Sequence, residues 1–206
     1  MEVKKAYKKA FKYLESDPVM KYLISKLGRE IDIEDRYNKN YAKAIAELII
    51  EQQISFKVAI SIKKKFNHLI SGMTNNEILE INDRKLKGIG ISRMKVKYIK
   101  NVYQYFLNNN INFDNLENDK IINELTTIKG VGSWTAEMFL IFILFRENIF
   151  SKKDIALLNS IKVNYNIEIL NDKILNNLIK SWAPYNTYAS LILWKSIEEK
   201  IFFKKN

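Results

Sequence analysis

The chain has 206 residues, no cysteine, two prolines, six glycines and a formal charge of +11, with a pI near 9.5. Lack of cysteine excludes disulfides, thiolate chemistry, Cys-ligated zinc and iron–sulfur clusters, and so few turn formers point to helices. The positive charge favours a polyanionic partner such as nucleic acid. The longest apolar run, Met138 to Phe145, is too short to cross a bilayer, and the first eleven residues carry no apolar core like a signal peptide's.

Taken in chain order, Val3, Ala6, Tyr7, Ala10, Phe11 and Leu14 recur at helical spacing and predict a basic amphipathic helix over Glu2–Glu15. Ser16-Asp17-Pro18 supplies a cap and an early proline for a helix running from Val19 to Leu27. The polar stretch Gly28–Asn40 is the expected lobe boundary. Helices are expected over Tyr41–Ser55 and Phe56–Ile70. In the second, His68 lacks an acidic or histidine companion at ligand spacing and reads as an ordinary helix residue. Thr74-Asn75-Asn76-Glu77 has the capping-box pattern. Leu86-Lys87-Gly88-Ile89-Gly90-Ile91-Ser92 then leads into a helix ending near Leu107. It is echoed 42 residues later by Ile128-Lys129-Gly130-Val131-Gly132-Ser133, which joins expected helices over Asp119–Ile128 and Ser133–Arg146. Two copies are too few for a solenoid. Asp154–Val163, Asn171–Trp182 and Pro184–Lys200 complete an all-α chain, since no segment sustains a period of two.

The turn Gly130-Val131-Gly132 can do one of two things. It can end a helix as a plain cap. Alternatively, its glycines let backbone approach a ligand, and the following helix aims N–H groups at phosphate oxygens. A Rossmann reading fails because the preceding Leu125-Thr126-Thr127-Ile128 continues a helix and no third glycine follows; no Gly-Lys-Ser/Thr supports a Walker A loop.

The wider stretch Leu125-x-x-Ile128-Lys129-Gly130-Val131-Gly132-Ser133-Trp134-Thr135-Ala136 resembles the helix–hairpin–helix of the DNA glycosylase superfamily. Asn148 to Asp154 resembles the segment bearing that superfamily's catalytic aspartate. Leu14–Leu27 with Asp17-Pro18-Val19, the segment Ile49–Ser55, and Trp182-Ala183-Pro184-Tyr185-x-x-Tyr188-Ala189 are similar to parts of its 3-methyladenine DNA glycosylase II branch. Nearly the whole chain is covered. The resemblance implies two helical lobes with an active-site cleft between them. Residues 1–39 would pack with 151–206, while 40–150 would form a central lobe carrying the hairpin unit at about 119–146. It also implies a monomer, placed inside the cell wherever the DNA is, acting on double-stranded DNA that contains a damaged base.

By the same resemblance Asp154 is catalytic, and Trp134, Tyr185, Met138 and Gln52 line the base pocket. Gln53 fills the gap left by a flipped nucleotide, and Lys129, Gly130, Val131, Gly132, Ser133 and Thr135 contact DNA. No organic cofactor and no side-chain metal site are expected; a monovalent cation on hairpin backbone carbonyls is. Two departures stand out. Lys129 replaces the usual proline, and the stretch before Asp154 lacks the usual Gly/Pro character and places Lys153 beside the carboxylate.

The residues themselves allow a chemical reading. Asp154 ahead of Ile155-Ala156-Leu157-Leu158 is a good N-cap. A carboxylate there can also stabilise the positive charge that grows on the sugar as a base departs, and orient or deprotonate water. The target must leave the stack and be held, and aromatic faces suit cationic alkylpurines. Core packing competes for these aromatics, and Trp182 and Trp194 are assigned to it. Gln52 and Gln53 could equally form an exposed helix face. Bifunctional relatives carry a lysine two residues after the second glycine, which attacks the sugar and forms a Schiff base. Here that residue is Trp134. The expected enzyme is therefore a monofunctional hydrolase of alkylated purines (3-methyladenine, 7-methylguanine) in base excision repair. The rivals are a glycosylase for hypoxanthine, uracil or 8-oxoguanine, and a non-catalytic helix–hairpin–helix DNA-binding module.

Overall fold

The structure, a computed structural model, describes residues 2–204. It is all-α: among the described residues there are helices and turns but no strand. The first six α-helices are α1 (Glu2–Leu14), α2 (Pro18–Leu27), α3 (Tyr41–Glu51), α4 (Phe56–Leu69), α5 (Asn75–Glu80) and α6 (Asp83–Gly88). The rest are α7 (Arg93–Asn108), α8 (Asn118–Thr126), α9 (Ser133–Phe142), α10 (Ile155–Tyr165), α11 (Asp172–Trp182) and α12 (Asn186–Glu199). The side chains of Val3 and Ala6 lie outside the described residues; Ala10 and Leu14 carry the buried face of α1.

The helices form two compact units, one made of Met1–Ile33 with Phe145–Asn206 and the other of Glu34–Leu144. These divisions fall six residues ahead of the sequence boundaries at 39/40 and 150/151, and side-chain chemistry explains both. Arg36, in the polar stretch, donates to Glu51 of α3 at 3.1 Å and lies 4.2 Å from the Phe142 ring centroid. At the other end, Thr187 of α12 donates through Oγ1 to the Arg146 carbonyl at 2.5 Å, accepts from the Ile149 amide at 3.1 Å, and gives its own amide to the Glu147 carbonyl.

In the first unit, α12 is the central helix, touched by α1, α2, α10 and α11. Asp17 shows how a local signal becomes a tertiary tie. Its Oδ1 caps α2 by accepting from Val19 and Met20, and its Oδ2 accepts from the Tyr165 hydroxyl at 2.6 Å and the Trp182 indole at 3.3 Å. Burial first, and the neighbouring Asp17 charge second, push the Tyr165 hydroxyl well above the ordinary tyrosine range. Trp182 is buried as core. Ser160, Asn164 and Ser196 form a hydrogen-bonded knot between α10 and α12, and Asn164 Oδ1 also accepts from the Phe203 amide. A buried polar group costs stability unless it is paired, and these are paired.

In the second unit, α3 packs on α4, α7 and α9. The buried positions of α3 are Ala42, Ala44, Ile45, Ala46, Leu48, Ile49 and Ile50, which explains a helix apolar nearly all round. Each fully buried Ile or Leu contributes about 1.5–3 kcal/mol. Two helices stop earlier than their periodicity indicates. α3 ends at Glu51, not Ser55, because Gln53 takes φ +56°; α9 ends at Phe142, not Arg146, and Phe145 takes φ +53°. Positive φ cannot continue a right-handed helix.

Candidate functional site

The glycine turn lies in the second unit, between α8 and α9. Ile128 and Val131 are buried and anchor it, and the Val131 amide donates to the Ile128 carbonyl at 2.9 Å. Gly130 has φ +107°, and a Cβ there would lie 2.2 Å from Cγ of Tyr98. Glycine is thus required by both backbone and packing. Gly132 differs: its φ of −96° suits any residue, and nothing lies within 4 Å of where its Cβ would be. The fold does not demand a glycine there. A ligand approaching the backbone would.

The first glycine turn sharpens this contrast. Its positive φ falls at Gly90 (+103°), so the conformational counterpart of Gly130 is Gly90, not the Gly88 matched by the sequence echo. In that register Ser92 stands where Gly132 stands, each as an N-cap. Ser92 Oγ accepts from the Lys95 amide at 3.3 Å and closes α7, whereas Gly132 brings no side chain to α9. An uncapped helix start suits an external anion.

Around the hairpin the structure redistributes the expected roles. Lys129 is exposed, and its carbonyl accepts from Asn101 Nδ2 at 2.9 Å. Thr135 is buried, and its hydroxyl accepts from Gln52 Nε2 at 2.8 Å. The same Gln52 nitrogen donates to the Gly130 carbonyl at 3.2 Å. Gln52 is therefore a brace, and its amide N–H groups are not open to a base. The Lys129 and Gly130 carbonyls each accept one side-chain amide hydrogen bond and keep a second lone pair. Met138, expected to line the base pocket, is only 2% exposed and packs in the unit's core. Trp134, on the first turn of α9, and Ser133 are half-buried, and Gln53 is exposed.

The carboxylate lies in the first unit. Asp154 is the N-cap of α10, and its Oδ1 accepts from the Leu157 amide at 2.9 Å and from the Trp194 indole at 3.1 Å. Its own amide donates to the Ser151 carbonyl, and the residue is 9% exposed. Trp194, which its apolar surroundings in sequence place in the core, is half-buried and donates to the carboxylate. The sequence held no local sign of this, since α12 contributes the indole forty residues downstream of Asp154. Lys152 and Lys153 are exposed, and Lys152 donates to Asn176 Oδ1 at 2.8 Å. Tyr185 is buried, with its ring centroid 5.3 Å from that of Tyr13 and 6.1 Å from that of Tyr188. Its ring joins an aromatic cluster through edge contacts within this unit. Tyr188 donates to Glu147 at 3.2 Å, and burial, ahead of that carboxylate, raises its hydroxyl above the ordinary range.

In the first unit Asp154 is a fixed acceptor that can face a developing cation; in the second, the glycine turn offers backbone that can face an anion. Among the described residues no cluster of His, Asp or Glu could hold a metal, and no helix is long and apolar enough to cross a membrane.

Comparison with known proteins gives the family. Residues 46–188 match the model of the HhH-GPD superfamily of base excision DNA repair proteins. DNA-3-methyladenine glycosylase 1 of Schizosaccharomyces pombe is 25% identical over 188 residues, covering 87% of this chain and 82% of that protein. YfjP of Bacillus subtilis is 29% identical over 162 residues; the match covers 73% of this chain and only 56% of that relative's length. Among solved structures, Schizosaccharomyces pombe 3-methyladenine DNA glycosylase (Mag1) in complex with abasic DNA superposes with a TM-score of 0.85. It is 25% identical, with 92% of this chain and 97% of that chain covered.

Proposed function

This chain belongs to the HhH-GPD superfamily of base excision DNA repair proteins, and we propose that it is a monofunctional DNA glycosylase that removes alkylated purines from duplex DNA. The observation that carries the reading is Asp154, held as a hydrogen-bond acceptor by the α10 amide and the Trp194 indole. A relative called a DNA-3-methyladenine glycosylase and a structural neighbour of that activity bound to abasic DNA support the substrate class.

In the proposed reaction the C1′–N bond breaks and its electron pair leaves with the base. A cationic alkylpurine departs neutral and needs no protonation. The Asp154 carboxylate stabilises the oxocarbenium-like sugar and orients water, whose oxygen bonds to C1′ as its proton passes to the carboxylate and on to solvent. Trp134 offers an aromatic face to a cationic base and no amine for a Schiff base. The nucleophile is water. The protein acts as a monomer, in whichever compartment holds the DNA.

The test is an incubation of duplexes containing 3-methyladenine, 7-methylguanine, hypoxanthine, uracil or 8-oxoguanine, scored for abasic sites and for adducts trapped by borohydride. Release of the alkylated purines without a trapped adduct is expected. A trapped protein–DNA adduct sinks the monofunctional assignment, and DNA binding without release of any base sinks the enzymatic one.

Trp194→Phe follows from the same site. It keeps the ring's bulk and the α10 cap but deletes the indole donor. Single-turnover release is expected to fall by about 10-fold, the worth of one hydrogen bond to a charged group, with duplex affinity unchanged. An unchanged rate would remove Trp194 from the site.

A further inference from the structure

The second unit contains a strained turn that the catalytic reading does not use. α3 stops at Glu51; Gln52 turns extended (φ −53°, ψ 131°), and Gln53 adopts φ +56°, a left-handed conformation that a non-glycine residue adopts only when its surroundings impose it. Two side chains from elsewhere in the unit impose it. Lys95 of α7 donates from Nζ to the Ile50 carbonyl at 2.9 Å and to the Gln52 carbonyl at 2.6 Å. These oxygens, at the end of α3, lack a following helical turn to bond them. On the other side the Gln52 amide grips the Gly130 carbonyl and the Thr135 hydroxyl. Gln53, between these anchors, is exposed.

We propose that Lys95 is a positioning residue for base extrusion: with the Gln52 brace it holds the Gln52–Gln53 turn as a preformed wedge linked to the glycine hairpin. The inference rests on the reading of Gln53 as the side chain that fills the gap left by the extruded nucleotide. Extrusion costs unstacking and unpairing, and a wedge helps only if it is rigid before it enters. The ammonium suits this task. Its bonds go to backbone carbonyls, so it fixes main chain. The Gln52 bond to Gly130 makes the phosphate grip and the wedge one piece, so that seating the hairpin on the backbone sets the wedge at the base step.

The experiment uses the full chain and a duplex carrying 7-methylguanine with 2-aminopurine as its neighbour, whose fluorescence rises on unstacking. Lys95→Met keeps the aliphatic stem and removes the donor; Lys95→Gln, which can still reach one carbonyl, replaces it should Lys95→Met fail to fold. Gln53→Ala and Lys95→Arg are measured alongside. The expected result is a loss of about 10-fold in fluorescence-detected extrusion and in single-turnover release for Lys95→Met. Affinity for undamaged duplex should change by less than about 3-fold, because phosphate contacts and not the wedge dominate it. Gln53→Ala should show the same split, and Lys95→Arg should recover most of the rate. Normal extrusion by Lys95→Met beside impaired Gln53→Ala overturns the proposal while leaving the wedge reading intact. Normal extrusion by Gln53→Ala overturns both. A parallel fall in undamaged-duplex affinity reduces Lys95 to a general structural residue and overturns the positioning role.

Discussion

Asp154→Asn is expected to lower single-turnover base release by about 10²–10³-fold while the protein stays folded and still binds DNA. This substitution separates two duties of one side chain. As the N-cap of α10, Asp154 needs only an oxygen that accepts from the Leu157 amide, and asparagine caps helices about as well as aspartate. The Asn oxygen can also accept from Trp194. Stability should therefore change by no more than about 0.5 kcal/mol. Catalysis needs the charge: an amide neither stabilises a growing oxocarbenium nor takes a proton from water. Asp154→Ala should lose both duties, with about 1 kcal/mol or more of stability going with the cap. Thermal melts together with abasic-site formation on 7-methylguanine duplex check the pair. If Asp154→Asn released base at the wild-type rate, capping would be the residue's whole role.

Asp154 also marks how far the sequence reaches. Its position before an apolar run made the N-cap legible, as did Asp17 before Pro18 and Thr74 before Glu77, because caps are written within three or four residues. The helices were legible for the same reason. What sequence reading missed is long-range. Trp194 reaches Asp154 from α12, and Lys95 reaches the end of α3 from α7. Neither pairing leaves a local pattern, since an indole in an apolar helix looks like core and a lysine after a cap looks solvated. The helix break at Gln53 went unseen because Ile54 keeps the apolar spacing going, while the backbone there is set by hydrogen bonds to other helices.

The first glycine turn failed more instructively. Matching Gly88 to Gly130 was correct as letters, but turn geometry follows φ, and φ aligns Gly90 with Gly130. Only in that register does Ser92 oppose Gly132, and only then does the difference in capping become visible. The domain boundaries shifted for a related reason. Polar composition placed residues 34–39 in a linker, yet Arg36 is committed to Glu51 and Phe142.

That same register yields the second large effect, a pair of glycine substitutions with opposite outcomes. Gly130→Ala places a methyl 2.2 Å from Cγ and 2.4 Å from Cβ of Tyr98, at the root of that side chain, where a rotamer change gives little relief. It also forces alanine to φ +107°. Strain and overpacking together should cost about 3–5 kcal/mol, lowering the melting temperature by roughly 10 °C in a chain of this size. Gly132→Ser meets open space at an extended backbone, and serine is the residue that already caps α7 at the equivalent position. It should leave the melting temperature unchanged or raise it slightly, because serine exceeds glycine as an N-cap by only a few tenths of a kcal/mol. Its hydroxyl would then occupy the α9 amides, and its Cβ would stand in the path of a phosphate seated on them. Duplex affinity is expected to fall about 10–100-fold, the loss of one or two charge-assisted hydrogen bonds. A Gly132→Ser protein that melts like the wild type and binds duplex equally well would show that the hairpin does not grip a phosphate at α9. Weaker binding at undiminished stability would separate the ligand's need for glycine at 132 from the fold's need for it at 130.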